Sequence, residues 1–152
     1  MAKTRDLTPD NAEELTELYE EYEWWEDREV DGVRTALAET EVVVGVECET
    51  SGKSGDGDLV AAARVLTDYT YYANVFDVIV AADRRGEGFG EILMEAVVDH
   101  PDLQSVVGLS LLCRRGLVPY YESVGFDLFD PEMEIPEGGV ERLVRMTYEQ
   151  TN

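Results

Sequence analysis

Two apolar periodicities alternate along the chain. Ala12, Leu15, Leu18, Tyr19 and Tyr22 recur at helical spacing and share one face. Thr8 stands before them as an N-cap, and Pro9 takes the first helical position, where its missing N–H is no loss. A short strand is expected ahead of this cap, around Thr4, Arg5 and Asp6. A second, shorter helix is predicted over 31–39, with Val33, Ala36 and Leu37 facing inward. The β-branched stretch 40–49, "LVAAARVLT" (59–67) and "ANVFDVIVA" (73–81) predict three strands. The last of these runs into "DRRGEGFGE" (83–91). From Gly88 the pattern is helical again, with Phe89, Ile92, Leu93, Ala96 and Val97 on one side. His100-Pro101 ends it, because the residue before proline avoids the α region. A strand over 105–113 follows, then a short helix within 116–126 with Gly125 just past its end, a loop over 130–139 and a last strand over 141–149. Neither repeats nor a linker interrupt this order, so a single domain spanning 1–152 is expected.

Composition narrows the setting more than the activity. Asp and Glu number 34 against 12 Lys and Arg, a net charge of −22, and Lys3 and Lys53 are the only lysines. Such a surface argues against nucleic-acid binding, which needs a cationic face. With 44% hydrophobic residues the chain is too apolar to be disordered. An acidic surface over an evident core resembles the proteins of salt-accumulating organisms. No apolar run approaches the ~20 residues that span a bilayer, and the first residues lack the apolar segment of a secretory signal. A cytoplasmic protein with no membrane partner is expected. Cys48 and Cys113 form no Cys-x-x-Cys pair and read as reduced core residues. With a single histidine, His100, no metal site is expected; His100 itself reads as an exposed helix end.

Two glycine-rich stretches invite a phosphate reading. Gly52-Lys53-Ser54 resembles the end of a P-loop, but Glu47 stands where that motif needs its first glycine. Residues 50–58 therefore read as a mobile hairpin connection. The second stretch, Gly86-Glu87-Gly88-Phe89-Gly90, follows a strand and opens a helix. A helix N-terminus carries unpaired N–H groups and about half a positive charge. Glycines let the backbone close on a phosphate, and Arg84 and Arg85 add charge beside it. A dinucleotide fingerprint fails here. Glu91 occupies its third glycine position, and no acidic residue stands about 20 positions on.

Arg85-x-x-Gly88-x-Gly90 resembles the Arg/Gln-x-x-Gly-x-Gly/Ala signature of the GNAT superfamily of N-acetyltransferases, whose loop binds the pyrophosphate of acetyl-CoA. "YYESVGF" (120–126) resembles that family's aromatic-Tyr-Glu-x-x-Gly-Phe segment. The resemblance implies an α/β (α+β) fold with a mixed, mostly antiparallel sheet and helices on both faces. It also implies two parallel strands, "VFDVIV" and "VGLSLLC", that splay apart at one end. The pantetheine arm would pair with the edge of Val78, Ile79 and Val80, and the phosphates would meet Arg85, Gly86, Glu87, Gly88, Phe89 and Gly90. The family's usual coenzyme-A-contacting asparagine is replaced by Arg114, which either reaches a phosphate or pairs with a surface acid.

By the same resemblance, acetyl-CoA is the co-substrate and a small-molecule or peptide amine the acceptor. Tyr121 is the candidate to protonate the departing thiolate, and Tyr120 would point into the core. Asp77 is either the general base or a hydrogen-bonded strand residue. The backbone N–H of Ile79 or Val80 is the candidate oxyanion donor. Trp24 and Trp25, among the acids of 21–29, either bind the amine or pack in the core. A coenzyme-A-binding sensor without turnover is the alternative function, and a homodimer is left open.

The charge makes its own prediction. In dilute buffer the acidic surface repels itself over roughly 10 Å, and at about 1 M salt over about 3 Å. The melting temperature should therefore rise as KCl is raised from about 0.1 to about 3 M. A flat or falling Tm in a thermal melt would remove the salt-adapted reading and leave the family resemblance standing.

Overall fold

The computed structural model describes residues 2–49 and 57–150; the connection expected at 50–58 lies almost wholly outside them. The chain divides into two compact units, Met1–Cys113 and Arg114–Asn152.

In the first unit the elements run β1 (Ala2–Asp6), α1 (Ala12–Tyr19), α2 (Val30–Glu39), β2 (Val42–Cys48), β3 (Asp58–Thr67), β4 (Ala73–Val80), α3 (Phe89–Val98) and β5 (Leu109–Leu111). The five strands form one sheet in the order β1-β2-β3-β4-β5. Every pair is antiparallel except β4 with β5, which is parallel. All seven residues of β2 are buried, as an internal strand covered on both faces requires. α1 packs on β3 and against α2, and α3 packs on β1 to β4. Among the described residues no helix is long and apolar enough to cross a membrane.

Thr8 caps as expected. Its hydroxyl accepts from the Asp10 N–H while its own N–H donates to the Asn11 side chain at 2.8 Å, a capping box. What it caps is a 3₁₀ turn at Pro9–Asn11, which leads into α1. α1 stops at Tyr19, short of the predicted Tyr22. Beyond it Tyr22, Trp25 and Arg28 each donate their N–H to the carbonyl three residues back, at 3.0 to 3.1 Å. Turns of this kind bring i and i+3 into line, so Tyr19, Tyr22, Trp25 and Arg28 form one row.

α3 buries Phe89, Leu93, Met94 and Val97, whereas Ile92 and Ala96 sit at its margin. His100 is buried, not exposed. Its Nδ1 accepts from the Asp102 N–H, which leaves Nε2 as the N–H facing Asp6 at 2.9 Å. The ring thereby fastens the end of α3 to β1. Cys48 and Cys113 are both free thiols; Cys48 is buried as expected, whereas Cys113, expected in the core, is half-buried in the short segment after β5.

β5 is shorter than predicted, three residues in place of nine. It pairs Leu109, Ser110 and Leu111 with Ala73, Asn74 and Val75. Before Ala73 the chain is turning, with Asp68 accepting from the N–H groups of Thr70, Tyr71 and Tyr72. No strand exists there for residues 105–108 to join.

The second unit holds α4 (Val118–Ser123) and a two-stranded hairpin of β6 (Glu132–Glu134) and β7 (Val140–Arg142). Gly125 follows α4 at φ 101°, and the Phe126 N–H reaches back to the Tyr121 carbonyl at 3.0 Å, a Schellman closure. Two predictions fail here. The loop expected at 130–139 contains β6, because Gly138 and Gly139, both at positive φ, turn the chain into a hairpin. The strand expected over 141–149 is regular only to Arg142, where its pairing with β6 ends.

Candidate active site

The parallel pair opens within the first unit. β4 continues five residues past Val75, to Val80, with no pairing to β5. The opening coincides with a bulge. Ile79 lies opposite Ala62 and Phe76 opposite Arg64, so Asp77 and Val78 together face Ala63. Asp77 has φ 55°, a left-handed conformation that Asp tolerates better than most side chains.

The bulge divides the backbone groups expected to hold pantetheine. The Ala81 N–H donates to the Val60 carbonyl at 2.7 Å. By the alternation of an antiparallel ladder, Ile79 turns its N–H and carbonyl to β3 as well. Val80 turns the opposite way, and its carbonyl accepts from the Tyr22 hydroxyl at 2.5 Å. Of the two candidate oxyanion donors, only the Val80 N–H faces the open edge.

Beyond β4 the glycine loop has the expected form. Gly86 and Gly88 adopt φ 80° and 89°, and a Cβ on either would meet no heavy atom within 4 Å. The space beside both backbones is open, which is what a phosphate cradle requires. Gly88 precedes the first turn of α3, with Phe89 buried as its anchor and Gly90 next in the helix. Arg84 pairs with Glu87 at 3.1 Å and lies 5.0 Å from the Phe89 ring centroid. Arg85 lies over the Tyr22 ring at 4.9 Å, and its Nε donates to the Tyr22 hydroxyl at 3.1 Å. The loop and the segment after α1 are thus joined through Tyr22. A further bond joins them where Glu21 accepts from the Ala82 N–H at 2.8 Å.

Asp77 sits between two guanidinium groups. Arg28 approaches its two oxygens at 2.9 and 3.3 Å, and Arg64 Nε lies at 2.8 Å. The carboxylate side chain is 11% exposed. Burial pushes its pKa up, but hydrogen bonds and charge from Arg28 and Arg64 outweigh burial and hold it below the usual carboxylate range. Arg64 also donates to Thr40 Oγ1 at 2.7 Å. Arg28 stacks over Tyr19 at 4.7 Å and Trp25 at 5.5 Å. Tyr19 is raised to about 12, chiefly by burial and then by the Asp77 charge, so its phenol stays neutral. Arg28, Arg64 and Tyr19 were not singled out from sequence. The one legible sign was Arg64, a lone charge in the apolar run of β3.

Arg28 and Arg64 line a cavity of about 290 Å³ together with Leu15, Tyr19, Glu29, Gly32, Val33 and Ala36. It lies between α1, α2 and β3. Neither tryptophan lines it. Trp24 is 66% exposed, and Trp25 is half-buried in the aromatic row.

Two candidates fall in the second unit. Arg114 is exposed, at the start of the turn Arg115–Leu117. Tyr121 is buried in α4 with its ring 5.0 Å from Tyr120 and 6.1 Å from Phe126. Tyr120, expected in the core, is the less buried of the two.

Comparison with known proteins agrees with this geometry. The sequence profile of the acetyltransferase (GNAT) family matches residues 3–126. Serotonin N-acetyltransferase 2, chloroplastic, of Oryza sativa subsp. japonica is 33% identical over 105 residues, 69% of this chain and 50% of the relative. GCN5-related N-acetyltransferase 2, chloroplastic, of Arabidopsis thaliana is 31% identical over 88 residues, 54% of this chain and 34% of the relative. The match with these two thus spans half or less of their length. Among solved structures, a GNAT-family protein of Xanthomonas campestris pv. campestris superposes with a TM-score of 0.63 at 28% identity, covering 83% of this chain and 85% of the other. The glucosamine-6-phosphate N-acetyltransferase of Arabidopsis thaliana shares the fold at a TM-score of 0.68 and 20% identity, with 89% and 97% covered. Sequence profile, strand order and the opened parallel pair coincide, and the chain belongs to the GNAT acetyltransferase family.

Proposed function

We propose that the chain is an N-acetyltransferase that moves acetyl from acetyl-CoA to a primary amine by direct attack, with both units acting as one domain. The observation that carries this reading is the opened β4 edge leading into a glycine loop with free space beside Gly86 and Gly88. The co-substrate would supply an activated thioester. Its phosphates would be held by backbone N–H groups of the loop and first turn of α3, with Arg85 beside them. The pantetheine arm would follow the opened edge of β4, where the Val80 carbonyl is engaged by Tyr22. The Val80 N–H is the assigned oxyanion donor.

Asp77 is assigned as the hydrogen-bonded strand residue, not the base. A carboxylate held below its usual pKa by two arginines is a weak proton acceptor. It sits in the bulge where β4 opens, paired with an arginine of β3 and one of the segment after α1. Tyr121 keeps the role of thiolate proton donor on the strength of its Tyr-Glu-x-x-Gly-Phe setting, since its hydroxyl carries a proton that the departing thiolate can accept. A small or peptide amine is the acceptor. The deciding experiment is free thiol release from acetyl-CoA across an amine panel at high salt. Binding of acetyl-CoA without thiol release for any amine would replace the enzyme with a sensor.

Three substitutions test the assigned roles. Gly88→Ala places a methyl in the open space and strains a left-handed residue by about 1–2 kcal/mol. It should fold, with acetyl-CoA affinity reduced at least about tenfold by calorimetry. Tyr121→Phe should lower kcat and leave acetyl-CoA affinity nearly intact, because the hydroxyl acts only as the thiolate departs. Asp77→Asn strands two guanidinium groups and should cost about 3 kcal/mol in a denaturant melt near pH 7. The folded Asp77 pKa is depressed, so its contribution is complete above the ordinary carboxylate value near 4 and disappears as pH falls through the folded value. The stability gap between wild type and Asp77→Asn should therefore narrow only in acid.

A further inference from the structure

Charge in the cavity between α1, α2 and β3 is unevenly placed: the arginine wall is cationic, while Glu29 puts one carboxylate at the exposed rim. Arg28 and Arg64 contribute two positive charges and Asp77 one negative. Among the described residues Asp77 is the one carboxylate paired with either arginine. Tyr19 adds nothing, because its phenol remains neutral to about pH 12. The arginine side chains are 33% and 18% exposed, so this excess of one positive charge is only partly in water. In a chain of net charge −22, a sheltered cationic wall stands out against the general field. The wall also has N–H groups to spare. Arg28 spends two nitrogens on Asp77, Arg64 spends Nε on Asp77 and another on Thr40, and both arginines also meet the Tyr19 hydroxyl. A guanidinium has five N–H donors.

The rest of the cavity fixes what the anion is attached to. Leu15, Val33 and Ala36 form an apolar side, and Glu29 is an exposed carboxylate at the rim. The volume of about 290 Å³ is at the lower end of ligand pockets, which run from about 300 to about 1,000 Å³. The cavity wall adjoins Asp77, at the point where β4 opens.

Resting on the acetyl-transfer reading above, we infer that the acceptor is a small amine that carries its own carboxylate and a short apolar chain, of the aliphatic amino-acid type. Its carboxylate meets Arg28 and Arg64, its chain lies against Leu15, Val33 and Ala36, and Glu29 attracts the ammonium group at the mouth. An excess of one positive charge matches a monoanion and falls short of a phosphate dianion. The ammonium first gives one proton to solvent; the free amine nitrogen then forms the new C–N bond, the thioester C–S bond breaks, and the second proton shed by the nitrogen balances the one taken up by the thiolate.

The test compares each aliphatic amino acid with its carboxamide and with the amine lacking the carboxyl group, at a fixed ionic strength near 1 M. One readout is thiol release from acetyl-CoA. The other, independent of turnover, is ligand-induced stabilisation together with the fluorescence of Trp25, whose ring is 5.5 Å from the Arg28 guanidinium. The acid should exceed its carboxamide at least tenfold in kcat/KM and should alone raise Tm. Arg28→Gln takes the wall from +1 to 0 and should abolish that preference. The double change Arg28→Gln with Asp77→Asn takes it back to +1 and should restore the preference in part, provided circular dichroism shows both variants folded. If the carboxamides serve as well as the acids, or a phosphorylated amino sugar is preferred, the inference is wrong and acetyl transfer stands. Thiol release with no amine, but stabilisation by acids alone, would overturn the enzyme reading and keep the carboxylate pocket. Neither thiol release nor stabilisation would overturn both.

Discussion

One carboxylate holds the first unit in its working shape. β4 carries one residue more than β3 at the bulge, and the extra residue adopts φ 55°. Asp accepts this conformation, but the bulge turns its carboxylate into a largely buried position. A buried carboxylate must be paired or protonated. Arg64 reaches it from the next strand and Arg28 from the segment after α1. The pair of arginines thereby ties sheet, bulge and helical layer together at the place where β4 leaves β5. The bulge coincides with the opened backbone edge, the arginines pair the carboxylate at the bulge, and their surplus charge falls on one wall of the adjoining cavity.

What was legible in the sequence follows from how local each cause is. The glycine loop and α3 could be read because Gly86, Gly88 and the apolar spacing after them act within a few residues. The Thr8 cap was legible for the same reason. β5 was overextended because its length depends on where β4 begins, and that is set by the turn around Asp68, far away in sequence. β7 was overextended because its partner β6 was missed in an acidic stretch that reads as loop. His100 illustrates the same limit. Its environment is Asp6, at the other end of the chain from any local cue.

The candidate site divides similarly. The loop was readable from its glycines, and Val80 from its position at the end of the predicted strand. Asp77 was visible, but its pairing depended on Arg28, brought there by successive three-residue turns that a helical reading of 12–22 does not anticipate. Arg64 was the available clue. A charged residue among Leu59, Val60, Ala61, Ala62, Ala63 and Val65 cannot be a solvated face, so it required a buried partner.

The same physics explains why so acidic a chain concentrates arginine, not lysine, around the site. An exposed lysine interacts through a solvated point charge, which concentrated salt screens within a few ångströms. Arg28, Arg84 and Arg85 instead lie on the faces of Tyr19, Phe89 and Tyr22, and Arg28 and Arg64 bind Asp77 through directed hydrogen bonds. Stacking and partial burial keep these contacts effective where a long-range field is not. Tyr19 and Tyr22 belong to one row, the first touching the cavity arginine and the second touching both Arg85 and the Val80 carbonyl. The cationic wall of the cavity and the cationic mouth of the glycine loop are therefore braced by neighbouring rings of a single segment. A shift of Tyr22 off Val80 would loosen the loop arginine and disturb the row that positions Arg28, so the two sites share one support.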